Sequence, residues 1–310
     1  MEALLTQDRI GQHPELSNPI DPSVLESLSI RAKYRPSPSS ESSYSSAEQN
    51  IAMALALDTV GPLSTVPVIG RDWAWETNGC STVRRYKFED GTAAYFKPLR
   101  ENSEMEYAFR DYGTSSLGAA INELNSYRMA QLLGPLYKSL ITETVFRELD
   151  GSLGSLQREV IEYTDLDRGF DSPMMMEDYR RASLLDFVIG NLDRHNENFL
   201  YGMDTLGRCR LRLIDNSFSF PGFSRTWFLN ESIFADNLPH YCYGAGYQMS
   251  YGDLDLRLEE RLALERARSG VESWLTEGTI AIQKGRGTLK RIDHLLTVGR
   301  LGGISTYFEN

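Results

Sequence analysis

Three polar side chains in the segment 190–222 have the types and spacing that phosphate chemistry requires. Asp193 and Asn198 lie five residues apart, and Asp215 follows at the end of an apolar run. A carboxylate can orient an attacking hydroxyl and accept its proton, and carboxylate and amide oxygens are hard ligands suited to Mg²⁺. The sequence therefore predicts Asp193 as a general base, with Asn198 and Asp215 as metal ligands, for phosphoryl transfer.

Two alternatives stand beside this interpretation. His195 is a second candidate proton acceptor, because an imidazole changes charge near neutral pH. The whole segment could instead be a polar surface loop in which Asp and Asn side chains form turn hydrogen bonds. Motifs this short also arise by chance, so features elsewhere in the chain have to decide.

A helix and a hairpin are predicted around these side chains. Residues 179–189 have a helical apolar face and lead into the loop at Gly190. Residues 198–201 and 211–214 are typical of two short strands, joined by a turn around Asp204 and Gly207. The hairpin therefore separates Asn198 from Asp215.

A lysine on an upstream strand is the next candidate. An Asp-Gly turn at residues 90–91 separates two strand-like runs, and Lys97 lies at the end of the second. Such a lysine can hold the α- and β-phosphates of ATP. The alternative for any single strand lysine is a solvated edge position.

The residues just before this hairpin are small or hydroxyl-bearing. Small side chains would let backbone N–H groups approach phosphate oxygens. Neither GxxxxGK[ST] nor GxGxxG is present, so the signal rests on position before Lys97. The predicted phosphate-binding residues are Asn78, Gly79, Cys80, Ser81 and Thr82.

A helix is predicted over 117–133, ended by Gly134 and Pro135. Glu123 lies beside its apolar stripe and can reach Lys97 in an ion pair; a solvent-facing glutamate is the alternative. Strands are predicted over 140–146 and 156–162, separated by Asp150-Gly151 and Gly154, and helices over 254–267, 271–282 and 289–298.

Several segments resemble the atypical kinases. They are GNLDRHNEN at 190–198, the Leu-Ile-Asp ending at Asp215, the Phe-Lys-Pro at 96–98, ELNSYRMAQLLG at 123–134 and GSLQ at 154–157. This group includes the phosphatidylinositol 3- and 4-kinases, the HipA-type bacterial kinases, the actin-fragmin kinases and the secretory-pathway protein kinases. Its loop order is Asp-Arg-His, whereas ordinary protein kinases have His-Arg-Asp.

The resemblance implies an α+β, two-lobed protein-kinase-like fold that uses ATP with Mg²⁺, or Mn²⁺ in its place. A Ser-rich N-terminal extension would occupy 1–58, a small β-rich lobe with one helix 59–163, and a larger, mostly helical lobe 164–310. Glu162 and Tyr163 would lie in the connection whose backbone groups bind the adenine. Asn216 and Ser217 stand where ordinary kinases have Phe-Gly, which leaves open how the metal-binding loop is controlled.

Composition narrows the partners. A net charge of -11 and a pI near 5.0 argue against a nucleic-acid protein and against adhesion to an anionic membrane. Three widely spaced cysteines suit a reducing compartment, and neither a signal peptide nor an apolar membrane span is visible. We therefore expect a cytoplasmic protein of undetermined oligomeric state.

The acceptor stays open among several classes. We expect a hydroxyl of a soluble protein or peptide, ahead of a small metabolite. The alternatives are an inositol lipid, nucleotidyl transfer to a protein, or a non-catalytic nucleotide-binding pseudokinase. A pseudokinase is expected to lack the base or a metal ligand, and all three residues are present here.

Overall fold

The computed structural model describes residues 50–52, 55, 62–72, 83–99, 115–162, 173–191, 193–194, 198–221 and 254–301. All of them belong to one compact unit, Ser43–Asn310, which combines helices with a main β-sheet. In chain order its labelled elements are α1 (Pro62–Thr65), β1 (Val68–Arg71), β2 (Arg84–Phe88), β3 (Ala93–Pro98), α2 (Ser116–Leu133), α3 (Pro135–Lys138), β4 (Thr144–Leu149), β5 (Ser152–Arg158), α4 (Pro173–Ile189), β6 (Phe199–Met203), β7 (Cys209–Leu213), β8 (Leu254–Asp255), α5 (Leu258–Glu277), α6 (Ile282–Val298) and β9 (Arg300–Leu301).

The main sheet has five antiparallel strands in the order β1-β2-β3-β5-β4. The predicted hairpin of β2 and β3 is confirmed, and Gly91 adopts the positive φ of 79° that its turn requires. Alternate side chains on one face of the sheet are buried, as period-2 patterning predicts. They form an apolar core with Leu63 of α1: Tyr86, Phe88, Ala94, Phe96, Val145, Leu149 and Leu156.

The β4–β5 hairpin is placed differently from the prediction. Asp150 and Gly151 do form the turn, with φ values of 53° and 72°. Gly154, however, lies inside β5 and breaks nothing. A Cβ on this glycine would lie 2.2 Å from the backbone oxygen of Lys97 and 2.7 Å from the ring of Phe96, so the missing side chain permits close contact with β3.

Helix α2 agrees with its prediction. The Ser115 side chain accepts a hydrogen bond from the Gly118 N–H at 2.9 Å and caps the first turn. Leu117 and Leu124 are fully buried. At the other end the chain turns at Gly134, and Pro135 begins the short helix α3.

The two helices predicted over 254–267 and 271–282 are instead the single helix α5. The gap left between the two predicted helices, residues 268–270, is helical and includes Gly270. Its missing side chain lets Leu132 of α2 pack against the α5 backbone, because a Cβ there would lie 2.4 Å from a Leu132 methyl group. Helix α6 likewise begins earlier than predicted, because Gly285 admits Leu275 of α5 in the same way.

A second apolar core joins α2, α4, α5, α6 and the β6–β7 hairpin. Helix α4 contributes the apolar face that its periodicity predicts. Four residues of this face are fully buried: Leu184, Leu185, Val188 and Ile189. The loop that carries Asp193 therefore starts from a firmly packed helix end. Within the described part of the chain, no helix is long and apolar enough to span a membrane.

Candidate functional site

Lys97 joins three separate elements. Its Nζ lies 2.7 Å from Oε1 of Glu123 on α2 and 3.0 Å from Oδ1 of Asp215, which follows β7. The first contact is the predicted ion pair. The second was not predicted, and it brings the strand lysine to the loop at the end of the second hairpin.

The charges of this triad act on one another. Burial alone would lower the pKa of the Lys97 ammonium, but the carboxylates of Asp215 and Glu123 outweigh it and raise the pKa above its ordinary value. Burial alone would raise the pKa of Asp215, but the positive charge of Lys97 and the Ser217 hydroxyl lower it. Lys97 is therefore a cation and Asp215 an anion at neutral pH.

The β6–β7 hairpin brings Asn198 beside the Asp215 segment. Phe199 pairs with Leu213 at the open end of the ladder, and the N–H of Ile214 then donates to the carbonyl of Asn198 at 3.1 Å. Asp215 is the next residue. Two residues that are 17 positions apart in the chain thus meet at the open end of the hairpin.

Asn198 also holds the loop that carries the predicted base. Its Nδ2 donates to the carbonyl of Asp193 at 2.5 Å and lies 3.3 Å from the Asp193 carboxylate. The Asp193 N–H donates in turn to Oδ1 of Asn191 at 2.9 Å. Asn198 is buried while Asp193 is half-buried, so the acid keeps access to solvent.

Residues 215–217, which we call the metal loop because Asp215 is a predicted metal ligand, have an unusual backbone. Asp215 has a φ of 50°, a left-handed conformation that aspartate tolerates better than most residues. The Ser217 hydroxyl donates to Asp215 Oδ1 at 2.6 Å and supports this conformation. Non-glycine residues in sparsely populated conformations cluster at functional sites.

Arg194 ties the loops together, and sequence reasoning missed it. Its guanidinium donates to the Asp186 carboxylate on α4, to the carbonyls of Asn198 and Ile214, and to Oδ1 of Asn216. The residue is buried. It therefore joins α4 to both strands of the β6–β7 hairpin at the open end.

Its partner Asp186 carries the signal that could have revealed this. The residue lies inside the apolar run SLLDFVI at 183–189, where a carboxylate requires a buried cationic partner. Burial raises the pKa of Asp186, although the charge of Arg194 opposes the shift. Arg194 is the first arginine that follows α4 in the sequence, and it could have been proposed as this partner.

The hairpin is anchored by a second buried acid. Both carboxylate oxygens of Asp178 on α4 accept from Arg210 at 2.7 Å, and the Leu211 N–H lies 3.2 Å away. Asp178 is fully buried. Arg210 of β7 therefore pairs with α4, the helix that leads into the loop carrying Asp193.

Of the remaining predicted residues, the structure describes Glu162 alone. Glu162 is exposed and forms an isolated bridge with Gly202 of β6. Its predicted neighbour in the connection, Tyr163, lies outside the described residues. His195 and the phosphate-loop residues Asn78, Gly79, Cys80, Ser81 and Thr82 also lie outside them.

Comparisons with known proteins found similar folds but no relative by sequence. No protein-family model and no curated protein matches the chain. A solved Helicobacter pylori proinflammatory kinase, CtkA, superposes with a TM-score of 0.41 at 10% identity, covering 80% of this chain and 96% of its own. A Golgi casein kinase gives 0.45 at 15% identity, covering 86% of this chain and 78% of its own. The function therefore has to be inferred from the chemistry of the site.

Proposed function

We propose that the chain is an atypical kinase that transfers a phosphoryl group from ATP, with Mg²⁺, to a hydroxyl group. The observation that carries this proposal is the contact of Lys97 with both Glu123 and Asp215. Three residues that are distant in sequence converge on one point from a strand, a helix and a hairpin end. A surface loop with turn hydrogen bonds would not require that convergence.

Each residue of the cluster then has a defined task. The Lys97 ammonium binds phosphate oxygens, and Glu123 keeps it directed into the site. Asp193 is half-buried and is placed to accept the proton of the attacking hydroxyl. Asn198 fixes the position of Asp193 through its two contacts. The proposed base is therefore held by a side chain that is itself a proposed metal ligand.

The donor set fits a magnesium ion. Asn198 uses its Nδ2 toward Asp193, and its Oδ1 accepts no hydrogen bond from the described residues, so the oxygen is available as a ligand. Asp215 Oδ1 is shared between Lys97 and Ser217, which leaves Oδ2 for a metal. Bound Mg²⁺ would offset the negative charge of the ATP phosphates.

The two-lobed arrangement belongs to the same proposal. The sheet core around Phe96 is a cluster separate from the helical core around Leu184, to which α2 also contributes. We propose one lobe over 59–163 and another over 164–310, after an extension over 1–58. The resemblance to the phosphatidylinositol, HipA-type and actin-fragmin kinases remains a prediction.

The acceptor that we propose is a soluble protein or peptide in the cytoplasm. The net charge of -11 disfavours an anionic lipid surface. The densest basic run, at 284–291, does not offer a membrane patch either. Lys284 donates to Asn122, and Arg291 is buried and donates to the Val188 carbonyl.

A labelling experiment tests the function. The full chain is incubated with γ-labelled ATP, Mg²⁺ and cell lysate, beside the Asp193→Asn variant as a control that keeps the metal ligands. We expect labelled protein bands from the wild type alone, with an added phosphate by mass spectrometry. Protein that carries no label but gains the mass of AMP, with the label released in pyrophosphate, would replace phosphoryl by nucleotidyl transfer. Label in the lipid fraction would replace the acceptor, and neither label nor added mass beyond the level of lysate without the protein would refute catalysis.

A further inference from the structure

Helix α2 holds the backbone of the metal loop through two adjacent residues. Glu123 Oε2 accepts from the Asn216 N–H at 3.1 Å, and Asn122 Nδ2 donates to the Ser217 carbonyl at 2.6 Å. Both bonds go to main-chain atoms. The helix can therefore fix this loop whatever side chains occupy its second and third positions, where Phe-Gly is replaced by Asn-Ser.

The orientation of the Asn122 amide is set from a third element. Lys284 in the first turn of α6 donates to Asn122 Oδ1 at 2.8 Å. An ammonium group can only donate and a carbonyl can only accept, so both contacts are satisfied by one orientation of the amide and by neither after a flip. The charge of Lys284 thereby directs the Asn122 NH₂ group at the Ser217 carbonyl.

The contacts of Lys284 with Asn122 and of Asn122 with Ser217 lie in rigid surroundings. Asn122 is buried, with 2% of its surface exposed, so a lost partner is not replaced easily by water. Helix α6 is packed closely on α5 at Gly285, the residue after Lys284. Ser217 then contacts Asp215 through its hydroxyl, so the series of contacts ends on the predicted metal ligand.

We propose that Asn122 is a positioning residue for the metal loop and that Lys284 sets its orientation, which makes α6 part of the support of the active site. The proposal rests on the proposed function and answers how the loop is controlled without Phe-Gly. Glu123 contacts both the metal loop and Lys97, because its other carboxylate oxygen holds Lys97. Asn122 contacts the metal loop but not Lys97, so its replacement isolates the positioning effect.

Three substitutions test the proposal. Asn122→Asp keeps the size and the Lys284 contact but turns an acceptor toward the Ser217 carbonyl. Lys284→Met keeps the aliphatic stem and removes the donor, so the amide can flip. Ser126→Ala is the matched control, because Ser126 lies one turn further on the same helix, is fully buried, and has no hydrogen-bond partner for its Oγ within the described residues.

Calorimetry of ATP binding, with Mg²⁺ and with a chelator, gives the first measurement. We expect Asn122→Asp to weaken the Mg²⁺-supported affinity about 10-fold, Lys284→Met to weaken it less, and both to leave the metal-free affinity unchanged. Ser126→Ala should match the wild type. Equal losses in both conditions, with a lowered thermal midpoint, would mean a merely structural role and would overturn the proposal.

Amide hydrogen exchange of the ligand-free protein gives the second measurement, and it does not depend on the proposed function. We expect faster exchange of the Asn216 N–H in Asn122→Asp and Lys284→Met, and wild-type exchange in Ser126→Ala. Unchanged exchange in both variants would overturn the loop contact itself. Faster exchange in the two variants, together with a wild-type protein that binds no Mg²⁺–ATP, would refute the proposed function while leaving the loop contact in place.

Discussion

Glu123 accepts a hydrogen bond from the backbone N–H of Asn216 at 3.1 Å, while its other carboxylate oxygen holds Lys97 at 2.7 Å. One buried acid on α2 thus joins the strand that carries the proposed phosphate-binding cation to the loop that carries the proposed metal ligand. Movement of α2 would disturb both at once. The same helix is therefore the element through which the site is assembled.

Replacing Lys97 by Met tests the role of the cation. The variant keeps the aliphatic stem but removes the charge, so the phosphates lose their partner. We expect transfer activity to fall by two orders of magnitude or more, roughly the worth of an electrostatic group at such a site. The thermal midpoint of the ligand-free protein should fall less than in Arg194→Met, because the Lys97 side chain is 24% exposed and that of Arg194 only 3%. Glu123 and Asp215 also keep Asn216 and Ser217 as partners.

A differential scanning measurement beside the activity assay separates the two roles of Lys97. Lys87→Met is the matched control, because Lys87 is an exposed lysine on the adjacent strand that pairs with Asp72 at 3.0 Å. That variant should keep its activity. A large loss of stability in Lys97→Met with retained turnover would make the lysine structural.

The contact between Lys97 and Glu123 could be predicted from the sequence because chemical type and chain order carry that information. Lys97 and Glu123 were paired from one strand and one helix whose periodicity was clear, and Asn198 and Asp215 flank a hairpin whose turn residues are characteristic. The contact between Lys97 and Asp215 could not be derived in this way. It depends on how the two cores are packed together, which local patterning does not encode.

Glycine accounts for most of the misplaced boundaries. Gly154 was predicted to separate two strands, and residues 268–270 were left between two predicted helices. Both Gly154 and Gly270 lie inside regular elements and permit close contacts, with Lys97 and Phe96 of β3 in one case and with Leu132 in the other. From sequence alone a turn glycine and a close-contact glycine are the same residue. Only the partner, which lies far away in the chain, distinguishes them.

Replacing Asp193 by Asn tests the general base. The amide keeps the shape of the side chain but cannot accept a proton, so turnover should fall by about two to four orders of magnitude. ATP affinity should stay near that of the wild type, because Lys97 and Asp215 are unchanged. Single-turnover kinetics and calorimetry measure the two quantities. Turnover close to that of the wild type would transfer the role to another acceptor, with His195 as the next variant.

The two proposed metal ligands should differ in weight. Asp215→Asn retains the shape and the tolerance for a positive φ but removes the negative charge, so Mg²⁺-dependent ATP binding should be lost. Asn198→Ala should weaken it less, because an amide oxygen carries no net charge. Titration of ATP with and without Mg²⁺ provides the comparison. Identical Mg²⁺ dependence in both variants and the wild type would refute the metal assignment.

Arg194→Met is expected to destabilise the whole protein. The substitution leaves the Asp186 carboxylate buried without its cation, and breaking a buried ion pair costs about 3–5 kcal/mol. The double variant Asp186→Asn, Arg194→Met removes both charges. Urea unfolding should show the double variant more stable than the sum of the single losses predicts, by about 0.5–3 kcal/mol. Strict additivity would show that the two side chains do not interact.

The last prediction concerns pH and the turn of the β6–β7 hairpin, which carries Asn198 and Asp215 at its other end. Oδ1 of Asp204 accepts from the Leu206 and Arg208 N–H groups at 2.8 and 2.9 Å, and Oδ2 from the Arg208 guanidinium at 2.7 Å. The Arg208 side chain and these backbone bonds lower the pKa of Asp204 to about 2.

Because the pKa is lower in the folded state than in the unfolded chain, the folded state favours the ionised form. This stabilisation is fully present above the unfolded pKa of about 4 and is lost as the pH falls toward about 2. We therefore expect Asp204→Asn to be less stable than the wild type at pH 7, and the difference to shrink between about pH 4 and pH 2. Urea unfolding across this range measures it, and Arg208→Gln, which keeps the backbone donors, should give a carboxyl pKa between about 2 and the ordinary value. A stability difference that is constant down to about pH 2 would show that the Asp204 charge does not support the hairpin.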